Sequence, residues 1–240
     1  MIVTGTSIEG SFEAYKLTQQ YPGLLYSTAG IHPHDAKSFT KESIRQLSEL
    51  LKHSNVLALG ECGLDFNRNF STPAEQLSCF EAQLELAVEL KIPVFLHQRD
   101  AQEDFIRLIK KYRSGLVDAV AHCFTGGQSE LEGCLEQELH IGITGWLCDE
   151  RRGKELQNCV AVIPDDKLMV ETDAPYLFPR DLKLPKDESP EGIKKKRSSR
   201  RNEPQFLPHI VKTLSQLINR DEQELARLTT VNARRFFRLL

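Results

Sequence analysis

Short apolar runs rich in β-branched and aromatic residues alternate along the chain with longer stretches whose apolar positions recur every three or four residues. The runs are MIVTGT (1–6), LLYSTAGIHPH (24–34), VLALGECGLDF (56–66), IPVFLHQR (92–99), VDAVAHCFTG (117–126), HIGITGWL (140–147) and KLMVETDAPY (167–176). Their apolar character is continuous rather than alternating, which suits strands covered on both faces, as in a parallel sheet. Between them, Ile44, Leu47, Leu50 and Leu51 mark a helix within 41–53, with Thr40 as N-cap and Ser43 at N3. A second helix has a firmer start. Thr72 caps, Pro73 takes the first helical position and Glu75 completes a capping box, and Leu77, Phe80, Leu84 and Val88 then form one core-facing stripe. Similar stripes fall in 101–112, 128–139, 154–163, 204–218 and 221–240. Strand–helix alternation predicts βα units with right-handed crossovers in a single domain, 1–240. The stretch 179–204, dense in proline and charge and without periodicity, reads as a long loop after the last strand.

Charge and composition narrow the class of protein. A net charge of −3 over 240 residues leaves no general basic footprint for nucleic acid, so any phosphate-binding patch must be local. No apolar run reaches the length of a membrane helix, and the N-terminus lacks the basic and apolar regions of a signal peptide. The six cysteines fall singly, with no CxxC pair, which argues against a disulfide framework or a zinc ribbon and for free thiols in a reducing cytosol.

The strand ends carry the chemistry. The run at 24–34 ends in His32 and His34, that at 56–66 in Glu61 and Asp65, and that at 92–99 in His97 and Arg99. The runs at 117–126 and 167–176 supply His122, and Glu171 with Asp173. Groups so far apart in sequence converge only if the strands are parallel neighbours, as at the C-terminal mouth of a (β/α) barrel. Histidines with carboxylates and no cysteine make a mixed N/O site for Mg²⁺, Mn²⁺ or Zn²⁺ in hydrolytic chemistry. Taken singly, a buried histidine is a hydrogen-bonded core residue and a strand-end aspartate a helix cap. Glu61, His97, His122 and Asp173 on separate strand ends point instead to one metal centre. His53, His140 and His209 are read as core histidines, and Cys62 and Cys123 as packing residues on the opposite strand face. Glu171 is expected to point away from Asp173, with no role assigned. Arg68 and Arg99 offer forked donors for phosphate, or partners for Asp65 and Asp100. The basic run 194–201 reads as a solvated charge run, a phosphate-contacting edge or a nuclear address. Trp146 can stack on an unpaired base, while Phe124 is read as core.

The segments GIHPHD, GECGLDFNRNFSTPAEQ, VFLHQRDA, HCFTG, IGITGWLCDERRG, ETDAPYLFPRD and SSRRNEP, in this order from end to end, resemble the TatD family of metal-dependent deoxyribonucleases. The resemblance implies a TIM-barrel (β/α)8-like hydrolase that binds one or two divalent ions, Mg²⁺ first, and trims single-stranded DNA or RNA from the 3′ end. It implies Glu61, His97, His122 and Asp173 as metal ligands, Asp173 also as proton acceptor, and His32 and His34 as active-site residues. It places Asp65 and Arg68 near the substrate phosphate and gives Arg201, in RNEP, a structural or site role, while Arg99 joins the substrate-binding candidates on its own chemistry. MIVTGT looks like the family's second strand, and seven strands are counted where a closed barrel needs eight, so the first strand is expected to be missing and stability and activity reduced. A cytoplasmic monomer is expected, with a deacylase of mischarged tRNA, or another amidohydrolase on the same fold, and a non-catalytic nucleic-acid binder as rival readings.

Overall fold

The computed structural model describes residues 1–183 and 201–239. The basic run, apart from Arg201, lies outside the described residues. Seven strands form one sheet in chain order: β1 (Ile2–Val3), β2 (Tyr26–Ala29), β3 (Val56–Asp65), β4 (Val94–Arg99), β5 (Ala119–Ala121), β6 (His140–Ile143) and β7 (Leu168–Val170). Every neighbouring pair is parallel, so each strand must be followed by a crossover. The helices are α1 (Ile8–Gln20), α2 (Lys41–Leu50), α3 (Pro73–Leu90), α4 (Gln102–Tyr112), α5 (Gln128–Glu136), α6 (Lys154–Cys159), α7 (Leu207–Leu217) and α8 (Glu222–Phe236). The expected capping box at Thr72 is present, and Thr40, expected only as an N-cap, forms a second one with Ser43. Thr72 Oγ1 accepts from Glu75 N, and Glu75 Oε2 accepts from Thr72 N at 2.6 Å. Ser43 Oγ likewise accepts from Thr40 N at 3.1 Å.

Helix α1 is not among the helices expected from the sequence, and its apolar positions, Ile8, Phe12 and Tyr15 among them, are few. Its buried face is Ser11, Ala14 and Thr18, small and polar groups that lie close against the sheet. Ser11 Oγ donates to Gly30 O, and Ser7 Oγ caps the helix by accepting from Gly10 N. The hydrogen bonds of Ser11 act beside the packing of Ile8 and Tyr15 against the core.

The sheet curls. Ala58, Phe95, Val120 and Met169, from four different strands, meet in one cluster, plugged by Phe236 and Phe237 at the end of α8. On the opposite face Leu59, Cys62, Leu64 and Leu96 pack with the helices. Asn232 of α8 donates to Leu168 O and Asp165 O, which anchors the plug to the start of β7. Among the described residues β1 and β7 each pair with one strand, so the sheet is an open seven-stranded barrel. No helix there is long and apolar enough to cross a membrane.

An irregularity in β3 sets the site. Leu59 pairs with Val94 and Cys62 with Leu96, so β3 advances three residues while β4 advances two. Leu59 and Cys62, an odd number apart, therefore share the outer face, and Glu61 is turned to the inner one. Gly60 and Gly63, at φ +135° and +146°, make the bulge possible. A Cβ on Gly63 would stand 1.9 Å from His97 O, its register partner. Gly63→Ala is therefore expected to destabilise the protein by more than about 3 kcal/mol. A thermal melt showing a loss of less than about 2 °C would disprove this tight fit.

Candidate metal centre

Glu61 is the hub of the barrel mouth. Its Oε1 lies 3.0 Å from His97 Nδ1, 3.4 Å from His32 Nε2 and 3.4 Å from His122 Nε2. These four residues come from three strand ends and the 3-10 turn after β2, and only a curled sheet brings them together. His122 Nε2 also lies 3.9 Å from Asp173 Oδ1. Donors that share one cation at about 2.0–2.2 Å stand roughly 3–3.5 Å apart, so these separations have the right scale.

Around the hub the groups are oriented by neighbours. His122 Nδ1 lies 3.0 Å from Glu171 Oε2, and Glu171 Oε1 accepts from Cys123 N at 2.6 Å. Glu171 thus points to the same side as Asp173, contrary to the expectation from the sequence. Met169 marks the inner face of β7, and Glu171 follows the strand's end at Val170, where strand alternation no longer governs direction. Cys123 adopts the left-handed conformation (φ 47°), which aims its N–H at Glu171 and its Sγ at Thr144 Oγ1, 3.6 Å away.

Asp65 is 1% exposed. Its Oδ2 lies 2.8 Å from His34 Nε2, and its Oδ1 accepts from Arg68 N. His97 Nε2, buried and without a hydrogen-bond partner, lies 3.5 Å from the same Oδ2. Asp65 therefore sits behind the imidazoles rather than out at the substrate, as the sequence reading had it. A buried anion repels phosphate, which accounts for the difference.

His32 has a fixed tautomer. Its Nδ1 accepts from His34 N at 3.1 Å, so in the neutral ring the proton sits on Nε2, facing Glu61. Donor atoms of His32, Glu61 and His97 form a compact trio, but with this tautomer His32 presents a donor, not a lone pair, to the centre.

The electrostatics follow from burial and from this crowd of carboxylates. Burial alone would raise the Glu61 carboxyl, yet the charge of His122 and the close contacts with His122, His32 and His97 hold it well below the usual range. Burial opposes a charge on His122 too, but Glu171 and Glu61 raise it well above an ordinary histidine. His97 is raised because Asp65 and Glu61 outweigh its burial. Burial lowers His32, and Glu61 offsets this only in part. Asp173 is pushed up to about 6, chiefly by burial, with Glu171 and Glu61 adding repulsion that His122 and His97 partly offset.

Other site residues of the sequence reading lie further out. Arg68 and Arg201 are exposed. Arg99 makes no ion pair among the described residues; Asp100 instead accepts from Asn67 Nδ2 at 2.7 Å. Arg99 lines a cavity of about 280 Å³ with Asn67, Gln98, Thr125 and Trp146. The Arg152 guanidinium covers one face of Trp146 at 4.3 Å, while Phe124 is core. Asn202 ties down the loop after β7, donating to Thr172 O at 2.6 Å and to Leu177 O. His140 is a buried histidine 3.1 Å from Asp118, as expected. His53 is instead exposed, its ring stacked on Tyr15. His209 is half-buried beside Asp181 rather than core.

Residues 1–238 match the family model described as TatD related DNase. Two relatives, each called 3′-5′ ssDNA/RNA exonuclease TatD, come from Musicola paradisiaca and Salmonella typhimurium. They are 50% identical over 239 residues and 48% over 240, covering all of this chain and 86% and 88% of their own lengths. A crystal structure of a hydrolase TatD family protein from Entamoeba histolytica superposes with a TM-score of 0.84 at 27% identity, over 98% of this chain and 83% of its own. The TatD homolog YJJV from Escherichia coli gives a TM-score of 0.85 at 25% identity, over 99% and 85%. Barrel, strand-end histidines and carboxylates, and similarity along the whole chain agree, and the chain belongs to the TatD family of metal-dependent, TatD-related DNases.

Proposed function

We propose that this chain is a metal-dependent nuclease that hydrolyses phosphodiester bonds of single-stranded DNA and RNA, removing nucleotides from the 3′ end. The observation that carries the reading is the meeting of Glu61, His97, His122 and Asp173 at the mouth of the barrel, in a chain 50% identical to a relative called an exonuclease. The donors fit a divalent cation. His97 would ligate through Nδ1, leaving its orphaned Nε2–H for Asp65, and His122 through Nε2, with its Nδ1–H held by Glu171. Two imidazoles beside carboxylates suit Mn²⁺ or Zn²⁺ by donor type, while Mg²⁺ stands first on the family resemblance. The cation supplies Lewis-acid activation of water and offsets charge on the phosphate.

The chain's own groups do the rest. The Asp173 carboxylate, at the edge of the centre beside His122, accepts the proton of the attacking water. His32 Nε2–H donates to a non-bridging phosphate oxygen, where negative charge grows during attack. Asp65 holds the rings of His34 and His97. Arg99 and Trp146, on the cavity wall, receive the adjoining nucleotide, the first by charge and the second by stacking. The enzyme acts as a monomer, and its free cysteines suit a reducing cytoplasm.

Digestion of a 5′-labelled single strand tests this. With Mg²⁺ a ladder of shortening labelled products is expected, EDTA stops it, and Mg²⁺ add-back restores it. Metal-dependent hydrolysis of an aminoacyl ester with the DNA left intact would replace this reading with a deacylase. Binding without turnover under Mg²⁺, Mn²⁺ and Zn²⁺ would replace it with a non-catalytic binder.

A further inference from the structure

A second group of ligand atoms lies away from the barrel mouth. Cys148 ends the 3-10 turn Gly145–Cys148 that follows β6, Asp181 lies in the loop after β7, and His209 sits in the first turns of α7. One donor atom from each falls within 4.8 Å of the others. His209 Nε2 and Asp181 Oδ1 are 2.7 Å apart. Thr213, one turn further along α7, donates to Asp181 Oδ2 at 3.3 Å and orients the carboxylate from behind. The burial is graded: Cys148 is buried, His209 half-buried and Asp181 exposed. One side is thus open for an ion to enter and for water to complete its shell.

We propose that Cys148, Asp181 and His209 form a separate binding site for a borderline-soft divalent ion, Zn²⁺ by chemical class. A thiolate, an imidazole and a carboxylate are zinc ligands, whereas Mg²⁺ and Ca²⁺ take oxygen donors. Ligands at about 2.0–2.3 Å in a tetrahedral shell stand roughly 3.4–3.6 Å apart, within the spread found here. Binding needs small movements. His209 would ligate as the neutral imidazole, its single ring proton on the nitrogen away from the ion, and the Cys148 thiol would release its proton to solvent. Burial holds that thiol up at about 12 without an ion, so the site binds metal more tightly as pH rises. The ion would join three separate segments: the end of the β6 unit, the loop leaving Asp173, and α7. The site is independent of the nuclease reading, because none of its residues touches the barrel-mouth ligands.

Cobalt titration of the full-length chain distinguishes the two sites. The ligands named at the barrel mouth are nitrogen and oxygen, so a thiolate-to-Co²⁺ charge-transfer band in the near ultraviolet that depends on Cys148 reports the second site. The band is expected to saturate stoichiometrically, to be displaced by Zn²⁺ but not by Mg²⁺, and to vanish in Cys148→Ser. Asp181→Asn, at an exposed position that cannot threaten folding, is expected to weaken the Co²⁺ affinity about 10-fold or more. Mg²⁺-dependent turnover should be unchanged in both variants. Absence of the band at saturating Co²⁺, or its persistence in Cys148→Ser, would overturn the proposal.

Discussion

Asp173→Asn lowers the rate of single-strand hydrolysis by about 10³-fold or more, yet leaves the fold as stable as the parent or more so. The loss follows from geometry. Asp173 Oδ1 faces His122 Nε2 across the space where the cation would bind, and the same carboxylate accepts the water's proton. An amide cannot accept that proton, and its neutral oxygen is a weaker ligand for the cation. The retained stability follows from electrostatics. Asp173 has φ 57°, a left-handed conformation that asparagine adopts readily, so the backbone is not strained by the change. Without metal, the carboxyl is raised from 3.8 to about 6 by burial and by Glu171 and Glu61. The folded state then holds a proton more tightly than the unfolded chain. Stability falls as pH rises from about 4, and the full cost, on the order of 2 kcal/mol, is present above about 6. Asparagine removes that cost. In EDTA at pH 7 the variant should melt no lower than the parent, and up to several degrees higher. Near pH 4 the two should converge. Residual activity above a tenth of the parent, or a melting loss large enough to explain the inactivity, would remove Asp173 from the centre.

The barrel was legible in the sequence because both of its periods are written plainly. Continuous apolar runs such as VLALG can only be strands covered on both sides, and the stripe Leu77, Phe80, Leu84 and Val88 can only be a helix lying against them. The metal-ligand candidates were legible because each stands where an apolar run turns polar. What stayed hidden depends on local backbone. The β3 bulge decides that Glu61 faces inward, and regular alternation from Ala58 would have turned it outward. Its trace in the sequence is the pair Gly60 and Gly63, whose meaning appears only once β4 lies beside them. Helix α1 was hidden because its apolar positions are few and its buried face is Ser11, Ala14 and Thr18. The direction of Glu171 was not legible because β7 ends at Val170 and strand alternation no longer governs the residues after it. The tautomer of His32 depends on a turn in which the His34 N–H comes back to Nδ1, and no residue type announces that.

Glu171→Gln should raise the Mg²⁺ concentration needed for half-maximal turnover by about 10–100-fold while keeping much of the rate at saturating Mg²⁺. The carboxylate of Glu171 accepts two hydrogen bonds, one from His122 Nδ1–H at 3.0 Å and one from Cys123 N at 2.6 Å. Glutamine has one oxygen and one NH₂, so it can accept only one of them. If the oxygen stays with Cys123 N, the amide donates to His122 Nδ1, and the neutral ring must carry its proton on Nε2. That proton points at Glu61 and Asp173 and closes the lone pair the cation needs. If the oxygen turns to His122, the Cys123 N–H faces an NH₂ group and the left-handed turn after β5 loses its tether. Either outcome weakens metal capture and leaves Asp173 in place to accept the proton, so the effect should appear in metal affinity before it appears in rate. A double-mutant cycle makes the argument specific. With His122→Ala as background there is no ring to orient, and Glu171→Gln should add little to the metal-affinity loss. Full additivity of the two changes would mean that Glu171 acts on the centre by some route other than the imidazole of His122.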